Sequence, residues 1–331
     1  MIVTLLLSLL VGIGFVVTTL VIFEELYIHE IIPDSFQTVD EKSKNLQKKF
    51  FEQKMNHDKK FIYILGSSHI QSLNTTLINS EIQKTHQDYV VYVLGLPADS
   101  PNERLKNIEP ILSTSPKIIF YGISMRDFQK TEDGNDIDYM QLPKPKKIIS
   151  DFFNIKLSKD LEFLENPKFQ TLKFMTIFLR GEKIEQPFQP YPNSLMVILP
   201  SYTEIKNDEQ LKKDSISKGE HVISFGDIDS NQNIIALKEI IKLSERNGIK
   251  VVIFTTPMSH YYLDVVPSST KNKFFEILSS INEYHDVNIH YLDEKFSYLP
   301  IWTDSTHVAV NEKSSIYSDD ITKIILDELD S

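Results

Sequence analysis

FIYILGSSHI (61–70) is the stretch on which the reading of this chain turns. Phe61 to Gly66 form a short, β-rich apolar run that stops in a turn. YVVYVLG (89–95) repeats that form. KIIFYGI (117–123) is a third run, entered from Ser115-Pro116, and KVVIFTTP (250–257) is a fourth, stopped by Pro257. NIHYL (288–292) is a weaker fifth. A strand with one wet face alternates apolar and polar residues, so uninterrupted runs of this length suit strands buried on both faces of a parallel sheet. Helical stretches at 101–113, 231–246, 270–284 and 312–329 lie between or after the runs. Strand–helix alternation predicts a doubly wound α/β sheet, mostly parallel and five-stranded.

Outward from this frame the chain changes character. Met1 to Phe23 carry no charged side chain, and Glu24-Glu25 follow. About 20 apolar residues span a bilayer core, so 1–23 reads as a single-pass transmembrane anchor to the lipid bilayer. A cleaved signal peptide is the weaker reading, because no basic n-region and no small-x-small site is present. The two glutamates after the segment and the Asn74-Thr75-Thr76 glycosylation pattern fit an extracytoplasmic body. Residues 24–60 read as a stalk and amphipathic lead-in helix with Phe50 and Phe51 as apolar points, and 61–331 as the α/β domain. From about 128 to 225 the strand–helix rhythm breaks, which predicts a long insertion or cap. Within it SLMVIL (194–199) is a further strand or an edge, and the Phe and Tyr residues of 152–192 form its core or a sugar platform.

The 331 residues hold 35 basic and 46 acidic side chains, a formal net charge of -11. That balance argues against nucleic acid as a partner. There is no cysteine, hence no disulfide, thiolate metal site or cysteine nucleophile. No phosphate-binding glycine loop or metalloprotease motif appears, and His86, His285 and His290 lack metal-ligand spacing and read as structural. No metal or cofactor is expected.

Ligands of an open α/β sheet bind beyond the carboxyl ends of its strands, so the residues after each run are the ones to inspect. They are Gly66-Ser67-Ser68-His69, Gly95-Leu96-Pro97-Ala98-Asp99, Gly122-Ile123-Ser124-Met125-Arg126-Asp127 and, near the end, Asp304-Ser305-Thr306-His307. A serine, small backbone donors and an Asp three residues before a His supply the parts of a hydrolytic triad: nucleophile, general base and the carboxylate that orients it. Each part has an ordinary structural reading too. Gly-Ser-Ser is good turn chemistry, Asp-x-x-His can be a helix cap, and Asp99 could cap a helix beginning near Pro101.

In order and position these blocks resemble the SGNH (GDSL-like) hydrolase superfamily, whose flavodoxin-like three-layer sandwich the strand pattern also fits. The Gly66-Ser67-Ser68 turn, the N-terminal anchor and TTPMSHYY (255–262) are similar to its membrane-anchored envelope acyl-transfer branch, the proteins of teichoic acid D-alanylation and alginate O-acetylation. The resemblance spans about 61–330 and leaves the insertion unmatched. It implies Ser68 as nucleophile, with Ser67 as the alternative one place earlier, His307 as general base and Asp304 as its orienting carboxylate. It implies an oxyanion hole from the Ser68 N–H, Gly95 and a third-block side chain. Here Gly122-x-Ser124 departs from the usual Gly-x-Asn, leaving Ser124 as substitute donor. Arg126, His260 and His69 are candidate substrate-binding residues. The function implied is a serine esterase or O-acyltransferase acting on an acylated envelope glycan or lipid, in concert with a membrane-bound acyltransferase. The rival is a catalytically inactive glycan-binding or scaffold protein of the same kind of system, motivated by the missing Asn. A third reading, a structural surface protein with accidental motifs, requires Ser68, Asp304 and His307 to lie far apart.

Overall fold

A computed structural model of the chain describes residues 38–53, 59–129, 186–219 and 223–331. The expected anchor at 1–23 and the aromatic stretch 152–185 lie outside the described residues. Among the described residues no helix is long and apolar enough to cross a membrane.

Five strands form one sheet: β1 Lys60–Gly66, β2 Tyr89–Gly95, β3 Ile118–Ile123, β4 Lys250–Thr255 and β5 Asn288–His290. Every pairing is parallel and the order is β2-β1-β3-β4-β5. Successive residues of a strand face opposite ways. Ile62, Ile64, Val91, Val93, Phe120, Val252 and Phe254 enter one core, and Tyr63, Leu65, Ile119, Tyr121, Val251 and Ile253 enter the other. Both cores are buried, which is why the sequence shows continuous apolar runs.

The helices in chain order are α1 Val39–Glu52, α2 Thr75–Ile82, α3 Pro101–Lys106, α4 Glu109–Ser113, α5 Asp208–Gly219, α6 Gln232–Arg246, α7 His260–Val265, α8 Ser268–His285 and α9 Ser315–Asp330. Ile240 and Ile241 of α6 and Phe274, Ile277 and Ile281 of α8 cover one face of the sheet. Ile78 and Ile82 of α2 and Tyr317, Ile321 and Ile325 of α9 cover the other. The result is the expected α/β architecture of three layers. The winding reverses between β1 and β3, and ligands of an open α/β sheet bind at the carboxyl edge beside such a reversal.

Four details depart from the sequence reading. The helix expected over 101–113 is two pieces, because Pro110 suits the first turn of α4 but has no N–H to continue α3. Helix α2 fills the β1–β2 connection, with Asn74 capping it through Oδ1, which accepts from the N–H groups of Thr76 and Leu77 at 3.1 Å each. Asp99 caps nothing; Ser100 caps α3, and Asp99 instead pairs with buried Arg104, whose Nε donates to it at 2.8 Å. SLMVIL contributes bridges and no regular strand: Val93 N–H donates to Asn193 O at 3.0 Å, and Leu195 N–H to Val93 O at 2.7 Å. Together with Gln47 of α1, which donates to Gly95 O and Leu195 O, this segment covers the otherwise open edge of β2.

One row of the sheet prepares the site. Gly66 stands opposite Gly95 on one side and Gly122 on the other, so three glycines sit side by side at the carboxyl ends of β2, β1 and β3. Ile70 lies on them. A Cβ would come within 3.3 Å of Ile70 at Gly66, 3.2 Å at Gly95 and 2.8 Å at Gly122. At Gly66 it would also meet the Gly122 carbonyl oxygen at 2.7 Å. The glycines therefore make a floor on which the turn after β1 is seated.

Candidate active site

Directly after β1 the chain makes a short 3-10 turn, Ser68–Ile70. Ile70 anchors its end on the glycine floor, which fixes Ser68 at its start. The first N–H groups of such a turn have no acceptor within it, so they are available to a ligand. Ser68 is half-buried at the surface of the site, and its Oγ lies 2.8 Å from His307 Nε2. The neighbouring Ser67 is turned inward, with its Oγ 2.8 Å from His69 Nδ1. Of the two serines weighed from the sequence, Ser68 is the one that meets His307.

His307 and Asp304 owe their relation to a local turn. Asp304 Oδ1 accepts from the N–H groups of Thr306 and His307, each at 2.8 Å, and from Thr306 Oγ1 at 3.0 Å. This is the side-chain-closed turn that Asp forms readily. It leaves the residue three places on beside the same carboxylate, with His307 Nδ1 2.9 Å from Oδ2 and 3.0 Å from Oδ1. Thr303 N–H donates to His307 O at 3.0 Å and closes the loop from behind. Burial pushes the Asp304 carboxyl up, but His307 and Lys218 outweigh it and hold the group well below the usual carboxylate range. The arrangement is thus an ionised carboxylate, an imidazole oriented by it, and a serine hydroxyl on the far nitrogen.

His69 stacks on His307 with ring centroids 4.5 Å apart and an interplanar angle of 10°. Burial, then the nearby His307 and Arg126, hold His69 well below the ordinary histidine value, so it is a neutral ring. Its Nε2 is buried without a partner. Tyr202 meets His307 edge-on at 5.7 Å. Arg126 stands on the 3-10 turn Met125–Phe128 after β3. His260 is occupied elsewhere: its Nδ1 bonds the Ser297 carbonyl at 3.0 Å, and its ring stacks on Tyr298 at 4.6 Å.

At the end of β3 the Ser124 N–H donates to Asp127 Oδ2 at 2.5 Å. The Ser124 side chain closes a capping box with Asp127 on the turn Met125–Phe128. Burial pushes Asp127 up to about 7, against the pull of its Ser124 contacts. Gly95, the expected second oxyanion donor, ends β2. Its carbonyl is turned to the outer edge, where Gln47 donates to it, while the next amide, Leu96 N–H, turns inward to Gly66 O. Gly95 also forms part of the floor under Ile70.

Sequence reasoning missed the brace around the Asp304–His307 loop. It comes from the second half of the insertion. Val310 N–H donates to Tyr202 O at 2.9 Å, and Lys206 N–H to Trp302 O at 2.8 Å. Asp214 Oδ2 of α5 accepts from Ser305 N–H at 2.8 Å and Ser305 Oγ at 2.5 Å. Lys218, one turn further on, reaches Asp304 Oδ1 at 2.9 Å. The only early signal was the Asp214/Lys218 spacing on a helix, which is common on solvated faces. His86, His285 and His290 pair with Asp330, Glu245 and Glu328 respectively. Among the described residues no group of His, Asp and Glu has the arrangement of a metal site.

No family model and no curated protein matches the sequence. Solved structures do resemble it. An acetyl xylan esterase, AlAXEase, is 10% identical, with a TM-score of 0.42 over 80% of this chain and 99% of that one. The psychrotrophic esterase EstA from Pseudoalteromonas sp., in a form inhibited by monoethylphosphonate, is 11% identical, with a TM-score of 0.39 over 82% of this chain and 100% of that one. TesA is 10% identical, with a TM-score of 0.34 over 70% of this chain and 77% of that one.

Proposed function

We propose that the chain is a serine esterase or O-acyltransferase of the SGNH type, working through Ser68, His307 and Asp304. The observation that carries this reading is the continuous line from Ser68 Oγ to His307 Nε2 at 2.8 Å and from His307 Nδ1 to the Asp304 carboxylate at 2.9 Å. In the first half-reaction Ser68 Oγ bonds to an ester carbonyl carbon as its proton passes to His307 Nε2. The Asp304 charge stabilises the imidazolium that forms. Collapse of the tetrahedral species breaks the ester C–O bond, and His307 returns the proton to the departing alkoxide. Water or an acceptor hydroxyl then repeats the steps in reverse on the acyl-enzyme. The developing oxyanion is served by the Ser68 N–H and the Ser124 hydroxyl, which stands on the capping-box turn with Asp127. Arg126 and the unpartnered His69 Nε2 are the polar groups beside the site assigned to the substrate.

The uncharged run 1–23 supports a membrane-anchored protein whose body faces the envelope. The substrate class is accordingly an acylated envelope glycan or lipid, with a membrane-bound acyltransferase as partner, because a tethered site reaches only what is near the bilayer. The rival reading as an inactive glycan-binding or scaffold protein draws on Ser124 standing where an Asn side chain is usual.

Turnover of p-nitrophenyl acetate and labelling by a fluorophosphonate test the proposal on the full chain. Both are expected for the native protein and lost in Ser68→Ala and His307→Ala, while Ser67→Ala is still labelled. A folded native protein that neither turns over nor labels would sink the proposal and favour the scaffold.

A further inference from the structure

Lys218 is the feature that the Ser–His–Asp scheme leaves unused. It belongs to α5, inside the insertion, and its side chain is 22% exposed. An ammonium has three donors. Lys218 Nζ has three acceptors around it: Asp304 Oδ1 at 2.9 Å, Asp214 Oδ2 at 3.0 Å and Thr306 Oγ1 at 3.1 Å. The same Asp214 oxygen takes the Ser305 N–H and hydroxyl. One helical turn therefore grips residues 304, 305 and 306, the loop that presents His307.

We propose that Lys218 is a positioning residue of the triad, whose charge, balanced by Asp214, sets how strongly Asp304 draws a proton onto His307. This deepens the catalytic reading and rests on it for its enzymatic meaning. The charge count is the reason. On the Nδ1 side of His307 stand two carboxylates, Asp304 and Asp214, and one ammonium, Lys218, a net of one negative charge. On its other sides stand Ser68, the neutral stacked His69 with Arg126 beyond it, and the edge of Tyr202. A lone Asp304 would give His307 the same net charge but would lack the clamp. Removing Lys218 leaves two negative charges beside the imidazole. Removing the Asp214 charge leaves one negative and one positive charge, a net of zero. The two changes therefore move the protonation of His307 in opposite directions, which a merely loosened loop would not do.

The test is an NMR titration of the His307 imidazole in the full chain, held in detergent, with its signal assigned through His307→Gln. Lys218→Met is expected to move the titration midpoint up by about one pH unit, the low end for a charge within about 6 Å because Lys218 is partly exposed. Asp214→Asn is expected to move it down by up to a comparable amount, and Lys218→Arg to leave it close to the native value. The acidic limb of the pH–kcat/KM profile should follow the same three directions. Absence of a shift in a folded Lys218→Met protein, or shifts of one sign in Lys218→Met and Asp214→Asn, overturns the proposal. If Lys218→Met does not fold, the sign of the Asp214→Asn shift decides. The titration needs no turnover, so an inactive native protein would remove the catalytic reading while the charge coupling is still decided.

Discussion

Two carboxylates stand at the carboxyl edge of the sheet, Asp127 buried and Asp304 partly exposed, and they are held in opposite states. Asp304 and Asp127 both accept a backbone N–H from a residue three positions away in the chain. Burial pushes both upward. Asp304 faces His307 and Lys218, and is held well below the usual range. Asp127 has the Ser124 N–H as its short contact, feels the like charge of Asp99, and is pushed up to about 7. The pair teaches that the groups a carboxylate faces act on its charge alongside its depth. The imidazole and the ammonium beside Asp304 outweigh desolvation, and the Ser124 contacts of Asp127 do not.

The largest effect that would break this comparison is in turnover. Asp304→Asn is expected to cost about 10⁴ in kcat, as loss of the orienting carboxylate does in a serine triad. Asp127→Asn keeps an acceptor for the Ser124 N–H and should cost only a few-fold. Ester hydrolysis by the two variants side by side decides, and equal losses would mean that both groups act on the chemistry.

Ser124 is the next test, because it joins the two regions. If its hydroxyl meets the oxyanion, Ser124→Ala lowers kcat by about 10²–10³ with KM little changed. A hydroxyl engaged only in the capping box with Asp127 would instead give unchanged kcat and a loss of about 1 kcal/mol in stability.

A smaller effect comes from the floor that carries Ser68. Gly122→Ala would place a methyl 2.6 Å from the Phe254 ring and 2.8 Å from Ile70. Overpacking of this kind costs about 1–3 kcal/mol. Denaturant unfolding should show that loss, and turnover should fall with it because Ile70 fixes the turn of Ser68. Unchanged turnover in the destabilised variant would separate the floor from the site.

The smallest and most diagnostic effect is in stability against pH. Asp127 has a folded value above its unfolded one, so its neutral form contributes stability that is complete below about 4 and is lost as pH rises through about 7. Asp304 has the reverse sign, with a contribution present above the unfolded value and lost as pH falls through the lower folded one. His69, held neutral, likewise loses stability as pH falls below about 6.5. Comparing native protein with Asp127→Asn isolates one group. The native protein should gain on the variant by up to about 1.4 kcal/mol per pH unit as pH falls between about 7 and 4. A difference flat with pH would mean that Asp127 is ionised in the fold.

Most of the architecture was legible in the chain because strand burial leaves a local trace. Runs such as FIYILG and YVVYVLG announce two dry faces, and their spacing announces parallel order. The Asp304–His307 relation was legible for a similar reason: a carboxylate that closes its own turn needs only residues three apart. Short elements were less so. Helix α2 is eight residues long and leaves little periodicity, and the break at Pro110 required knowing where α3 had to end. What tertiary structure alone decided is everything set by approach across the chain. Ser68 rather than Ser67 meets His307, because Ile70 settles on three glycines from three strands. His69 is a stacked neutral ring rather than a free rim histidine, because the loop bearing His307 folds over it. Lys218 joins Asp304 from a helix 86 positions earlier in the sequence. Local sequence fixes which groups can bend a turn or bury a strand. Which charges then face one another depends on the packing of distant segments, and the charges a group faces set its protonation.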